Sequence, residues 1–238
     1  MALLDDLKSE TDKIVRHAWE RRDGTVVPET ENLALGNEAV DLEATFIYAD
    51  LHDSTRLATT NQQVAAEVFK AYLMGTTRII RSLGGEIRSF DGDRVMGVFV
   101  AGNKNTNAAE AGLKINYFFS QVLTPAFNGF YTGSFPSGLP LNQTVGIDTS
   151  KVMVVRSGIR NNNDLVWVGR APNIAAKLSA IREARYSTYI TKTVFDAMLD
   201  SSKFGGFPQQ LMWESRTWSG GNEFGVGQVY RSAWWWKP

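Results

Sequence analysis

The chain has no cysteine in its 238 residues. That removes disulfides, thiolate zinc centres and cysteine nucleophiles together. Only two histidines occur, His17 and His52, too few to favour a histidine-based zinc site. Any metal bound here is bound by oxygen. Net charge is also lacking: 25 lysines plus arginines balance 25 aspartates plus glutamates, with no long basic run. A nucleic-acid backbone is therefore a poor partner. No apolar run approaches the ~18 residues of a membrane helix, and "MALLDDLKSE" carries acids where a signal peptide carries positive charge. The expectation is a soluble, cytoplasmic protein without a membrane partner.

What is present suffices for one large domain with extensions, since domains run at about 100 to 200 residues. Leu3, Leu4, Leu7, Ile14, Val15 and Trp19 fall near a 3.6-residue period, which predicts a short amphipathic helix used for packing. Arg21 to Glu43 holds Gly24, Pro28 and Gly36 among acids and reads as an extended connector. Residues 1–41 are thus expected to form an N-terminal helix and connector, and residues 42–238 a catalytic domain.

Within that domain a strand over Thr45 to Asp50 precedes helical periodicity through Val64, Phe69, Leu73, Ile80 and Leu83, closed by Gly84 and Gly85. "EIRSFDGDRVMGVFV" predicts two strands around a tight Asp91-Gly92-Asp93 hairpin. A helix over Asn105 to Leu123 and a loop over Pro125 to Leu141 follow. "QTVGIDTSKVMVVRSGI" predicts two strands around Ser150, and "NNNDLVWVG" another. Pro172 then opens a helix with Ile174, Leu178 and Ile181 on one face. The order β-α-β-β-α-β implies an α+β fold: a ferredoxin-like split βαβ core, with a mixed, mainly antiparallel sheet and helices on one face. The terminal "WWWKP" is expected to pack against the sheet.

The chemistry gathers at "ATFIYADLHDSTRLA". Asp50 ends a strongly apolar strand, where a carboxylate is costly to desolvate unless positive charge lies beside it. The first strand lies beside the hairpin, so Asp50 and Asp93 can converge. Two adjacent carboxylates repel unless a divalent cation neutralises them, and hard oxygen ligands suit magnesium or manganese. The backbone turn from Leu51 to Thr55, which includes Ser54, opens onto a helix N-terminus and suits phosphate oxygens. Each feature also has a plainer reading, in which Asp50 caps a helix and Asp91 to Asp93 is only a turn. Tyr48 shares a strand face with Asp50, either as core packing or beside a small base ring. Arg94 is either an exposed hairpin arginine or a donor to a base carbonyl. His52 is assigned no role.

Taken in order, "FIYADLHDSTRLA", "GGEIRSFDGDRVMGVF", "VGIDTSKVMV" and "DLVWVGRAPNIAAKL" resemble the motif series of the class III nucleotide cyclases, over about Leu42 to Thr193. The resemblance implies that Asp50, Asp93 and the Leu51 carbonyl hold two divalent cations, Mn2+ or Mg2+. It also implies that Asn173 orients the ribose. Where the family usually has an arginine that stabilises triphosphate charge, this chain has Lys177, which keeps the charge and loses the bidentate fork. Adenylyl cyclases read adenine with a lysine where this chain has Ser89 and with Asp or Thr where it has Val166; guanylyl cyclases carry Glu and Cys there.

Loss of both purine readers points to another base. The layout, including "MALLDDLKS" and "RDGTVVPE", resembles the Pycsar pyrimidine cyclases of antiphage defence. That resemblance implies conversion of UTP to cyclic UMP, with cyclic CMP as the alternative, and a separate effector that responds to the product. It implies a homodimer whose active sites combine Asp50 and Asp93 of one subunit with Asn173 and Lys177 of the other. A cyclase-like binding module without turnover is the rival reading.

Overall fold

The computed structural model describes residues 2–100, 102–133, 141–183 and 185–238. Its helices are α1 (Ala2–Arg16), α2 (Ser54–Thr60), α3 (Gln62–Ser82), α4 (Lys104–Tyr117), α5 (Thr124–Phe130), α6 (Arg170–Ser179) and α7 (Lys192–Ala197). Its strands are β1 (Glu20–Asp23), β2 (Glu38–His52), β3 (Glu86–Asp91), β4 (Arg94–Phe99), β5 (Asn142–Ile159) and β6 (Asn162–Gly169), followed by β7 (Thr188–Thr191), β8 (Phe204–Gly205), β9 (Gln210–Leu211), β10 (Glu214–Gly221) and β11 (Val226–Ser232). One sheet runs β10-β11-β7-β5-β2-β4-β3, with β1 beside β2 and β6 beside β5; β8 and β9 pair separately. Among the described residues only β1 with β2 and β5 with β7 are parallel, so the mixed, mainly antiparallel α+β sheet is as expected.

Two long strands carry the sheet. β2 pairs with β5 without interruption from Ala39–Val155 to His52–Asn142. The two strands expected around Ser150 are therefore one, because Ser150 stays in register opposite Ala44. Alternation along β2 sends Ile47, Ala49 and Leu51 to one face, where they meet Val68, Tyr72 and Ile80 of α3 and Leu113 of α4. Leu42, Ala44 and Phe46 point to the other face and pack with Met96, Val152 and the α6 residues Ala171 and Ala175. Burying each of the larger side chains contributes about 1.5–3 kcal/mol. Helices thus cover both faces, which corrects the expectation of one. Gly146 on β5 permits the second layer: a Cβ there would lie 2.2 Å from the Ala175 carbonyl oxygen and 2.4 Å from the Ser179 nitrogen.

The helix expected after Asp50 is broken in two. Asn61 takes an extended φ of −150°, and its side chain accepts a hydrogen bond from the Val64 amide at 3.1 Å, capping α3 and ending α2. In the hairpin, Asp91 pairs with Arg94, so the two loop residues are Gly92 and Asp93. Gly92 at φ +62° supplies the positive φ that this turn needs at its first position. Asp93 is thereby carried in the turn itself.

The N-terminal helix departs further from expectation. α1 has no buried residue, and Val15 is 77% exposed. Its tether is Asn37, whose side-chain amide donates to the carbonyls of Ile14 and His17, each at 2.8 Å. The connector instead belongs to the sheet: β1 lies beside β2, Val27 and Leu33 are buried with Leu42, and residue 42 lies inside β2. Residues 125–130 of the expected loop belong to α5, while 134–140 lie outside the described residues. The tryptophan tail passes beside α4, with the Trp236 amide donating to the Leu113 carbonyl at 3.2 Å, and Trp234 and Trp236 pack against the core between α4 and the sheet. Among the described residues no helix is long and apolar enough to cross a membrane.

Candidate active site

Phe46, Tyr48 and Asp50 follow one another on one face of β2, and Asp50 stands where that strand runs out of apolar partners. Its carboxylate is 15% exposed and, among the described residues, accepts one hydrogen bond, from Nη2 of Arg182 at 2.8 Å. Burial pushes the Asp50 carboxyl above its ordinary range; the Arg182 hydrogen bond opposes this, and the nearby Asp93 charge adds to it. Asp93 reaches the same place from the hairpin, with Oδ2 buried and without a hydrogen-bond partner. Asp50, Leu51, Ser54, Thr55 and Asp93, five residues expected at the site, line one open cavity of about 590 Å³. Asp53, Arg56 and Arg182 line it with them.

The fit of these residues to a divalent cation rests on those carboxylates. Among the described residues no three His, Cys, Asp or Glu side chains gather as a metal cluster. The donor set is two carboxylates and a backbone carbonyl, which suits a hard cation that completes its shell with water and substrate phosphates. An orphaned buried oxygen on Asp93 and a singly bonded Asp50 are the acceptors such an ion would satisfy. His52 is buried with Nε2 unpartnered, and burial followed by the Arg182 charge lowers its pKa to about 4. It is neutral near pH 7 and offers no charge to the reaction.

Beside the carboxylates, Ser89, Met96 and Tyr48 stand abreast on β3, β4 and β2. The half-buried Tyr48 ring lies 5.6 Å from the guanidinium carbon of Arg94, and Arg94 in turn donates to Asp91 at 2.6 Å. Tyr48 packs against the Phe46 cluster, the packing half of the earlier alternative, and shares its strand face with Asp50. Arg94 is partly buried and held, not a free hairpin arginine.

Three expected residues lie elsewhere. Val166 on β6 is opposite Val155, whereas Asp50 is opposite Thr144 on the same strand, about 35 Å away along an extended chain. Asn173 is exposed on α6 and donates to the Gly169 carbonyl at 3.2 Å. Lys177 is paired with Glu223 at 3.1 Å and lies 4.4 Å over the Phe224 ring. None of the three lines the cavity at Asp50.

Comparison with known proteins decides the family. Over essentially its whole length the chain is 39% identical to a uridylate cyclase of Rhodovulum sp. (strain MB263), covering 99% of it. It is 41% identical to a uridylate cyclase of Burkholderia cepacia over 99% of both chains. The chain belongs to the uridylate cyclase family. It is a nucleotide cyclase. No family model matches it. In fold it is similar to the adenylyl cyclase CyaB from P. aeruginosa, with a TM-score of 0.69 at 21% identity, over 82% of this chain and 95% of that one. The ordered motifs that resembled the class III cyclases are thus carried on the fold they implied.

Arg182 has no counterpart in the sequence reading. It lies in the loop after α6, 132 residues from Asp50 in the chain, and no local spacing points to it. The register of β5 with β2, together with the return of α6 over Gly146, brings the two together.

Proposed function

We propose that this cyclase converts UTP to 3′,5′-cyclic UMP and pyrophosphate. The observation that carries the reading is the pair Asp50 and Asp93, with an unsatisfied buried oxygen on a cavity that also presents Ser54 and Thr55. Asp50, Asp93 and the Leu51 carbonyl would hold two divalent cations, Mn2+ or Mg2+. Bound there, the cations would acidify the ribose 3′-hydroxyl and neutralise triphosphate charge. The 3′-oxygen attacks the α-phosphorus, the bond to the bridging oxygen of pyrophosphate breaks, and the hydroxyl proton passes to water. Ser54 and Thr55 contact the phosphates.

The base is set against Tyr48, with Arg94 donating to a carbonyl of the pyrimidine. Ser89 and, on the side of the molecule that contributes Asn173 and Lys177 to a second subunit's site, Val166 leave the two purine-reading positions without a partner for adenine or guanine, and an unpartnered buried polar edge discriminates strongly. The naming of the relatives as uridylate cyclases favours uracil over cytosine.

Asn173 and Lys177 act on the ribose and the triphosphate of a second subunit's site. Their separation from the Asp50 cavity supports a two-fold homodimer with composite sites. The product serves as a cytoplasmic antiphage signal read by a separate effector, in keeping with the Pycsar-like motifs. A second reading, nucleotide binding without turnover, has one observation in favour, the engagement of Lys177 by Glu223. Mass analysis of products from an equimolar mixture of four NTPs with Mn2+ tests these together. Cyclic UMP as the main product is expected; cyclic CMP would move the assignment to cytidylate, cyclic AMP would overturn it, and no product would favour the binding module.

A further inference from the structure

Asp50 is not waiting bare for a cation: the Arg182 guanidinium already occupies it. Nη2 of Arg182 donates to Asp50 Oδ2 at 2.8 Å while Nη1 donates to the Ser179 carbonyl at 2.8 Å, so one side chain spans from the end of α6 to the metal-binding carboxylate. Arg182 is 44% exposed at the cavity mouth, and with Arg56 it forms the basic part of a lining that carries Asp50, Asp53 and Asp93. A divalent ion on the same oxygen would lie about 2.0–2.1 Å from it, which sets a unit charge and a double charge of like sign against each other in a partly desolvated site. One of them must yield.

Resting on the reading of Asp50 and Asp93 as metal ligands, we propose that Arg182 is a second-state residue. It neutralises Asp50 while the cation is absent and transfers to the triphosphate of the incoming nucleotide when the cation takes its place. The geometry supports the transfer. The Ser179 carbonyl holds one nitrogen, the guanidinium fork leaves the other free to exchange a carboxylate for a phosphate oxygen, and Arg182 lines the same cavity as Asp50, Ser54 and Thr55. Arg182 is therefore a substrate-binding residue whose resting contact opposes metal binding. Metal and nucleotide each relieve what hinders the other, so their binding is cooperative.

The test separates two affinities that an ordinary phosphate-binding arginine, or a merely structural one, would not move in opposite directions. Mn2+ binding without nucleotide is measured by titration for wild type, Arg182→Ala, Arg182→Gln and Asp50→Ala. Binding of 3′-deoxy-UTP, which lacks the attacking hydroxyl, is then measured at saturating Mn2+. The Arg182 variants are expected to bind Mn2+ about 3- to 10-fold more tightly and 3′-deoxy-UTP at least about tenfold more weakly, with Arg182→Lys recovering part of the nucleotide affinity. Asp50-dependent Mn2+ binding that is unchanged or weakened in both Arg182 variants would overturn the proposal alone. Nucleotide affinity equal to wild type would do the same. Mn2+ binding absent from wild type, or equal in Asp50→Ala, would overturn the metal reading and this proposal with it.

Discussion

Asp50 and Asp148 lie on the same face of the sheet, each buried against an arginine, and the two are answered very differently. Asp148 is 0% exposed and accepts from Thr191 Oγ1 at 2.6 Å and from Nε and Nη2 of Arg170 at 3.1 and 3.2 Å. Arg170 also donates to the Thr149 carbonyl at 2.9 Å, and the Ala171 amide to Ser150 Oγ at 3.1 Å, so the network pins the start of α6 to β5. Asp50 has one donor, and its neighbour Asp93 has a buried oxygen with none. Burial raises the pKa of both Asp50 and Asp148. The difference lies in saturation: the acceptors of Asp148 are filled by the protein, and those left short at Asp50 and Asp93 are what supports the proposed ligand role of that pair.

The sharpest way to break this contrast is to remove the unsaturated carboxylates. Asp50→Ala or Asp93→Ala is expected to lower turnover by roughly 10³-fold, the scale of losing several kcal/mol of transition-state charge stabilisation. Thermal melting should stay near wild type, since each change also removes a repulsive charge. Initial rates with and without chelator, beside melting curves, check both halves; full activity in either variant would end the two-metal reading.

A second experiment asks whether α6, pinned by Asp148, serves its own cavity or another's. Asp50→Ala and Lys177→Ala chains are each expected to be nearly inactive, whereas their purified heterodimer regains about half of wild-type activity, because both lesions fall in one composite site and the other is intact. No recovery from a folded heterodimer would mean that each subunit builds its site alone.

The converse change tests the saturated carboxylate. Asp148→Ala leaves Arg170 without its buried partner; the full cost of breaking such a pair is about 3–5 kcal/mol, reduced here to roughly 2–3 because Arg170 stays partly solvated. For a chain of this size that is a fall in Tm of about 4–12 °C. Asp50-dependent Mn2+ binding should survive in the folded fraction. A variant that melts like wild type would show that the network contributes little to holding α6.

The same contrast explains what was legible in the sequence. Asp50, Leu51, Ser54, Thr55 and Asp93 are placed by local rules: an alternating strand, a glycine-first turn and a helix start each act over a few residues. Arg182 is placed by strand register and by the close packing of α6 on Gly146, and neither leaves a spacing in the chain. Asn61 was hidden for a related reason: apolar periodicity continues through it, and only its extended φ and side-chain cap divide α2 from α3. The apolar face of α1 followed the helical period as expected, but periodicity reports that a face exists and not what covers it.

The smallest expected effect concerns His52, the buried base next to the unsaturated pair. Its folded pKa, about 4, lies below the ordinary value of 6.5 because burial and then the Arg182 charge disfavour the imidazolium. The unfolded chain therefore takes up the proton first as pH falls. In the window between those two values it binds more protons than the folded protein, so stability declines as pH drops. Asp50 and Asp148, with raised folded pKa values, act in the opposite sense: their contribution is present at low pH and is lost as pH rises from their ordinary value of 3.8 through the raised one. Only a difference between variants isolates the histidine. Between about pH 7.5 and about pH 5, wild type is expected to lose roughly 1–2 kcal/mol more than His52→Gln, which cannot titrate. Urea midpoints for the two proteins across that range check it, and parallel curves would show that Nε2 is reached by solvent and that the pocket beside Asp50 is wetter than its burial implies.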